Sequence, residues 1–245
     1  MVVALLVLVL LLGLAVGSFL NVVIHRVPRG ESVVSPASRC PRCGRPIRAR
    51  HNIPVLGWLI LRGRCAYCGT PISARYPLVE LGTGVLFAAL TWRLDRLDRL
   101  PAVPAYLCFA AIGIALALID LELQKLPSAI VLPSYPVLAV LLTGAAAWQH
   151  DWLPLARAGL GGAAMLGLYL LLALIAPARR SWDDVKLAGL LGGVLAYLSW
   201  SALVIGGLIS FVLAIADRAT RKTALPSATV MVAAVLTILL TNVSL

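Results

Sequence analysis

The 245-residue chain is 61% hydrophobic and only 13% charged, with a mean hydropathy of +0.96. So little polar surface cannot cover a core of this size in water, which excludes a soluble globular protein. A net charge of +11 would suit a nucleic-acid binder, but the basic residues lie between apolar runs, where they orient a chain in a bilayer, and no nucleic-acid module is present.

Apolar runs at or near bilayer length occur at roughly 2–24, 78–94, 101–120, 129–148, 155–176, 185–200, 201–216 and 226–244. They predict an all-α polytopic membrane protein of about eight transmembrane helices. The first run has no basic stretch before it and is followed by His25, Arg26 and Arg29, the pattern of an uncleaved anchor with its N-terminus outside. The alternating topology that follows puts loops 25–77, 121–128, 177–186 and 217–225 inside with 17 of the 21 Lys and Arg residues. Arg93, Arg96, Arg99 and Arg157 stay outside, so each crossing obeys the positive-inside rule.

Between the first two spans, Cys40, Cys43, Cys65 and Cys68 form two Cys-x-x-Cys knuckles in a polar loop that carries ten arginines. This spacing brings four thiolates together tetrahedrally, and Zn²⁺ is the usual occupant. The competing reading, two disulfides, requires an oxidising compartment, whereas an arginine-rich loop belongs on the reducing cytoplasmic side. With Pro36, Pro41, Pro46, Pro54 and Pro71, the segment reads as a loop-rich module that needs a metal staple. The domains expected are a first helix over 1–24, a cytoplasmic zinc-binding domain over 25–77 and a multi-helix membrane domain over 78–245.

Further along, the run around Ser199, Trp200 and Ser201 must fold into two short helices. Gly13-x-x-x-Gly17 and the pairs Gly161–Gly162, Gly192–Gly193 and Gly206–Gly207 fit close helix packing in lipid. No repeat of fixed period stands out. Cys108, in an apolar span, reads as a small buried hydrophobe, and His25, His51 and His150 have no ligand spacing with the cysteines.

Only ten carboxylates are present, and an ionised acid near hydrocarbon costs several kcal/mol. Asp95, Asp98, Asp151 and Asp217 read as solvated loop charges. Asp120 ends the third span and Asp184 begins the sixth, both at the cytoplasmic level of the derived topology. Two carboxylates held close share a proton, one activating a water while the other polarises a carbonyl, which is aspartyl-protease chemistry. The plainer reading makes Asp184 a first-turn acid complementing its helix dipole and Asp120 a polar helix end. Glu80 either faces the site or complements a helix N-terminus, and the second reading suits its position better.

Taken together, Gly17-Ser18-Phe19-Leu20-Asn21, Arg26, Pro28, Cys40-Pro41-x-Cys43, Asn52-Ile53-Pro54, Gly63-Arg64-Cys65-x-x-Cys68, Ile72-Ser73, Arg75-Tyr76-Pro77-x-x-Glu80, Leu126-Pro127 and Asp184-Val185-Lys186-Leu187 closely resemble the bacterial type IV prepilin peptidases. The likeness covers nearly the whole chain. It implies that Asp120 and Asp184 are catalytic, that the four cysteines bind structural zinc, and that 78–245 is an aspartic peptidase domain in the bacterial cytoplasmic membrane. The substrate implied is a prepilin or pseudopilin, cut after a glycine to release its basic leader. S-adenosylmethionine-dependent methylation of the new N-terminus is implied by analogy alone.

The chain departs from that family around its second acid. Ser181-Trp182-Asp183-Asp184 replaces a Gly-x-Gly-Asp pattern, Arg179 and Arg180 stand where Gly and Met are common, Pro226-Ser227-Ala228-Thr229 replaces Pro-Phe-Gly-Pro, and Ser128 replaces an acid or amide. Loss of the glycines narrows the backbone, and Asp183 adds negative charge beside the acid pair, so slow cleavage is expected. A peptidase-like membrane protein that binds its substrate without cutting it is the alternative. A transporter fits less well, because no span carries several mid-depth charges.

Overall fold

The structure, a computed structural model, describes residues 2–175 and 182–220, excluding the side chains of 213–220, together with Thr229, Val232, Ala233, Val235 and Leu236. It is helical apart from turns and two isolated β-bridges among these residues. The long helices are α1 (Val2–Arg26), α3 (Arg75–Arg96), α4 (Val103–Leu123), α5 (Ser128–Gln149), α6 (Leu153–Ile175), α7 (Trp182–Leu198) and α8 (Trp200–Thr220), and a short α2 (Leu56–Ile60) lies in the cysteine loop. They correspond to the first seven apolar runs. The eighth run falls mostly outside the described residues, with those that are described helical.

Val2–Arg29, Leu100–Leu123, Ser128–Gln149 and Leu153–Ile175 are long and apolar enough to cross a bilayer. The chain is a multi-pass membrane protein: Val3, Leu8, Val140, Leu160 and Ile175 stand exposed on these helices, an arrangement that water would oppose and lipid accepts.

The chain divides into two compact units, Met1–Trp92 and Arg93–Leu245. In the first, α1 buries Val9, Gly13, Gly17, Leu20, Asn21 and Ile24, a stripe at helical spacing. Its glycines meet α3 closely. A Cβ on Gly13 would lie 2.7 Å from the Gly84 Cα, and one on Gly17 would lie 2.7 Å from the Glu80 Cα. Contacts that descend α3 by one turn as they ascend α1 make the two helices antiparallel, and the small-residue seam sets their separation.

In the second unit α7 is buried on nearly every side, including Asp184, Val185, Leu187, Ala188, Leu191, Leu195 and Tyr197. Its backbone meets α6 through glycines: a Cβ on Gly192 would sit 2.7 Å from the Gly161 carbonyl oxygen, and one on Gly162 would sit 3.1 Å from the Gly189 carbonyl oxygen. Tyr106 donates its hydroxyl proton to the Val194 carbonyl at 2.8 Å, and Tyr135 does the same to the Lys186 carbonyl at 2.5 Å. Arg157 of α6 donates to the last carbonyls of α7, Tyr197 and Leu198, both at 3.2 Å. A cation there complements the negative end of the helix dipole.

The break expected near Ser199 has a clear cause. Ser199 Oγ accepts the Ala202 N–H at 3.0 Å, so the serine caps α8 and ends the shared run. The glycine seam makes a prediction: Gly192→Val should destabilise the second unit by about 1–3 kcal/mol, because the Gly161 backbone cannot yield as a side chain would. Thermal unfolding in detergent would show a lower Tm, whereas Gly144→Val, whose Cβ meets nothing within 4 Å, should change it little.

Candidate metal centre and active site

Both cysteine knuckles fold by the same hydrogen bonds. Cys40 donates its N–H to Arg45 and accepts that of Gly44, at 3.0 and 2.9 Å; Cys65 donates to Thr70 and accepts from Gly69, at 2.8 and 3.0 Å. Gly44 and Gly69 have φ of 67° and 70°, the left-handed turn that glycine adopts without strain. Arg39 pairs with Pro46, and Arg64 with Pro71, as bridges that close each turn. The second knuckle is therefore a copy of the first displaced by 25 residues, a repeat too local to register along the chain.

The two turns bring their sulfurs to one point. All four Sγ atoms lie within 4.8 Å of one another, and those of Cys40 and Cys68 are 3.8 Å apart. Tetrahedral zinc, with Zn–S near 2.3 Å, places sulfurs about 3.8 Å apart, so the donor set fits such an ion. None of the four is in a disulfide. Tyr67, between the second pair, carries the guanidinium groups of Arg45 and Arg48 at 5.0 and 5.6 Å from its ring centre, which ties the knuckles together from outside.

The thiols differ in acidity. The Thr70 backbone N–H and hydroxyl hold Cys68 down to about 6, while Cys43, despite the Arg45 N–H that lowers it, is pushed up to about 11 by burial and neighbouring sulfurs. A metal arriving at neutral pH must displace the Cys43 proton, so affinity weakens as pH falls.

Glu80 does not serve its own helix terminus. It is the sixth residue of α3, buried, and its Oε2 accepts the Val55 N–H at 2.7 Å. Val55 has φ 61°, a strained value for a β-branched residue, and this bond helps to hold it. Asn21, also buried, donates from Nδ2 to the Tyr76 carbonyl at 3.2 Å.

In the second unit, Asp120 and Asp184 are 6% and 3% exposed. Their helices reach the same end of the unit. A short turn over 124–127 joins α4 to α5, and Lys186 Nζ donates to Ser128 Oγ at 2.9 Å, which fastens the start of α7 to the start of α5. Counted from the Tyr106–Val194 hydrogen bond, Asp120 lies about 21 Å along α4 and Asp184 about 15 Å along α7, at 1.5 Å per residue.

The helix-dipole reading separates the two adjacent acids. Asp183 and Asp184 both occupy the first turn of α7. Asp183 is partly exposed and its Oδ1 lies 3.3 Å from Lys186 Nζ, so its charge is paired along the helix and does not simply add to that of Asp184. Asp184 is buried, for which the dipole alone gives no reason. The replacement at Thr229 also acts differently from a loss: Thr229 donates its N–H to Asp120 Oδ2 at 3.2 Å and its hydroxyl proton to the Ala117 carbonyl at 2.9 Å. A proline there has no N–H to give. Arg179, Arg180 and Ser181 lie outside the described residues.

These features define a class: a multi-pass helical membrane protein with a four-thiol cluster able to hold a metal ion between its first two long helices and two buried acids at one end of its second unit. Residues 11–94 match the model of the Bacterial Peptidase A24 N-terminal domain. The chain is 40% identical over 204 residues to the prepilin leader peptidase/N-methyltransferase of Klebsiella pneumoniae, covering 78% of this chain and 84% of that protein. Its counterpart in Dickeya chrysanthemi is 38% identical over 229 residues, covering 79% and 75%. One from Myxococcus xanthus is 45% identical over 122 residues, with 50% of this chain and 36% of that protein covered. No solved structure matches. The chain belongs to the prepilin leader peptidase/N-methyltransferase family.

The thiol cluster generates a prediction. Metal analysis of the purified protein should find one bound ion per chain, lost in Cys40→Ser and Cys65→Ser and released from the unaltered protein as pH is lowered from 8 towards 5. Retention of the ion by both serine variants would show that it sits elsewhere.

Proposed function

We propose that the chain is a prepilin peptidase, an intramembrane aspartic endopeptidase of the bacterial inner membrane that removes the basic leader from prepilins or pseudopilins. The observation that carries this reading is the burial of Asp120 and Asp184 at one end of the second unit, in a chain whose relatives bear that name over most of their length. A substrate with a basic leader in the cytoplasm and an apolar helix in the bilayer presents its scissile bond at the inner interface. Loop 25–77 is then cytoplasmic, where its arginines also meet anionic lipid.

In this reading the acids share one proton. The ionised carboxylate takes a proton from water as the water oxygen attacks the scissile carbonyl, while the protonated one donates to the carbonyl oxygen. Collapse of the tetrahedral intermediate breaks the C–N bond: the leaving amine collects the proton that the first acid took from water, and the second acid takes back the proton it gave to the carbonyl oxygen. Zn²⁺ on Cys40, Cys43, Cys65 and Cys68 has a structural part, holding a proline-rich loop that has little core of its own. Methylation of the new N-terminus from S-adenosylmethionine is the second activity, supported by the relatives' names.

Cleavage of a model prepilin in liposomes tests the assignment. Asp120→Asn and Asp184→Asn should each lower kcat by at least about a hundredfold with little change in substrate binding, because an amide cannot exchange the shared proton. Ser181→Gly combined with Asp183→Gly should raise kcat by freeing the backbone beside Asp184. Cleavage that survives either Asn substitution sinks the catalytic assignment, and substrate binding without any cleavage by the unaltered or restored chain makes the protein a binder.

A further inference from the structure

The cysteine loop is polar and basic along most of its length, but its short helix is not. Leu56, Leu59 and Ile60 share one face of α2 by helical spacing and are each more than half exposed, and Ile53 just before them is exposed too. The other side of α2 is spent within the loop: Gly57 packs its backbone against the His51 carbonyl, and Trp58 donates its indole N–H to the Ile72 carbonyl at 3.0 Å. An aliphatic cluster of this kind in water is unfavourable and marks a surface that something covers.

The depth of this face follows from Glu80. Its Oε2 accepts the N–H of Val55, the residue at which the chain turns into α2. Glu80 lies about 7.5 Å from the start of α3, and its backbone meets Gly17, about 13.5 Å short of the end of α1. Counted as about twenty residues from Val2, the hydrocarbon ends near Asn21, so the backbone of Glu80 is inside it. A side chain on a helix leans toward that helix's N-terminus, here toward the loop, which brings Val55 and α2 to the boundary between acyl chains and headgroups. Leu78 and Leu81, on either side of Glu80, are exposed, as lipid at that level allows.

Charge defines the kind of lipid. Between Glu31 and Glu80 the chain carries eight arginines and no acid. Exposed Arg48 and Arg50 precede α2, and exposed Arg62 and Arg64 follow it. Each arginine beside anionic headgroups contributes about 1 kcal/mol, and an apolar face sunk at the acyl boundary adds its burial. We propose that Ile53, Leu56, Leu59 and Ile60 form a foot that inserts into the anionic leaflet from which the loop emerges, with the flanking arginines on its headgroups. The bilayer is then a partner of the thiol module, and the foot together with the Glu80–Val55 bond fixes the height of that module at the membrane. Such a foot serves a chain that cuts its substrate and one that only binds it alike.

Electron paramagnetic resonance of the full-length, metal-loaded protein in vesicles of phosphatidylethanolamine and phosphatidylglycerol tests the foot. A keto-bearing amino acid in place of Ile60, and separately of Leu59, carries a nitroxide without touching the thiols, and retained metal identifies the folded samples. Oxygen concentrates among acyl chains, whereas a water-soluble nickel chelate is kept out of them. The ratio of oxygen to chelate collisions should be several-fold higher at residues 59 and 60 than at Val34, exposed elsewhere in the loop, and should approach that at Val140, exposed on α5. Exchanging phosphatidylglycerol for phosphatidylcholine should lower it, and a ratio that does not respond overturns the preference for anionic lipid. A ratio at both positions equal to that at Val34 overturns the proposal, as does poor access to both reagents, which means that protein covers the face. Spin–spin broadening would identify that protein as a second copy, and a water-like ratio that rises only on addition of a model prepilin would assign the face to substrate; either outcome overturns insertion into lipid.

Discussion

Hydrocarbon offers no partner to a backbone N–H or carbonyl, and this one deficiency determines most of what the chain does. Segments in contact with lipid must be helical, so the helices can be held together only by close packing and by the few polar side chains they bury. The glycine seams answer the first need. Gly13 and Gly17 let α1 reach α3, and Gly161, Gly162, Gly189 and Gly192 let α6 reach α7 until backbone meets backbone. The tyrosines answer the second, since Tyr106 and Tyr135 both donate to carbonyls of α7.

The same constraint explains why acids are few and where they lie. A buried carboxylate is tolerated when hydrogen-bond donors surround it, and the structure supplies them from distant parts of the chain. Asp120 receives the Thr229 N–H, and Glu80 receives that of Val55. In each case a helix carries the acid and a non-helical or differently placed segment brings a backbone donor to it. Two units thus use one device, a helical carboxylate fastened to the main chain of another segment.

Much of this was legible in the residues. Apolar runs gave the long helices because each needs about twenty residues to cross the bilayer, and the Cys-x-x-Cys spacing gave the thiol cluster because two tight turns suffice to converge four sulfurs. The loop helix α2 was not legible, since five residues carry no periodic pattern. Nor was the role of Glu80: its partner Val55 is 25 residues away in the loop and bonds through its backbone, which leaves no mark on residue identity. Asp183 was readable in part. An acid three residues before Lys186 on one helix is an intrahelical pair, a signal that weighs against the simple repulsion expected beside Asp184. The Thr229 contact spans 109 residues and depends on an N–H where proline is the family expectation, so only the folded chain reveals it.

At 17 residues α7 is about 25 Å long, less than the roughly 30 Å of a hydrocarbon slab. A rod shorter than the slab cannot rest both tips among headgroups, and Arg157 on its final carbonyls favours the wetted boundary at that tip. Because α7 is buried by protein on nearly every side, the shortfall is taken up by the helices around it and not by lipid. A buried acid in the first turn of a short central helix is therefore shielded from water and from acyl chains by protein alone.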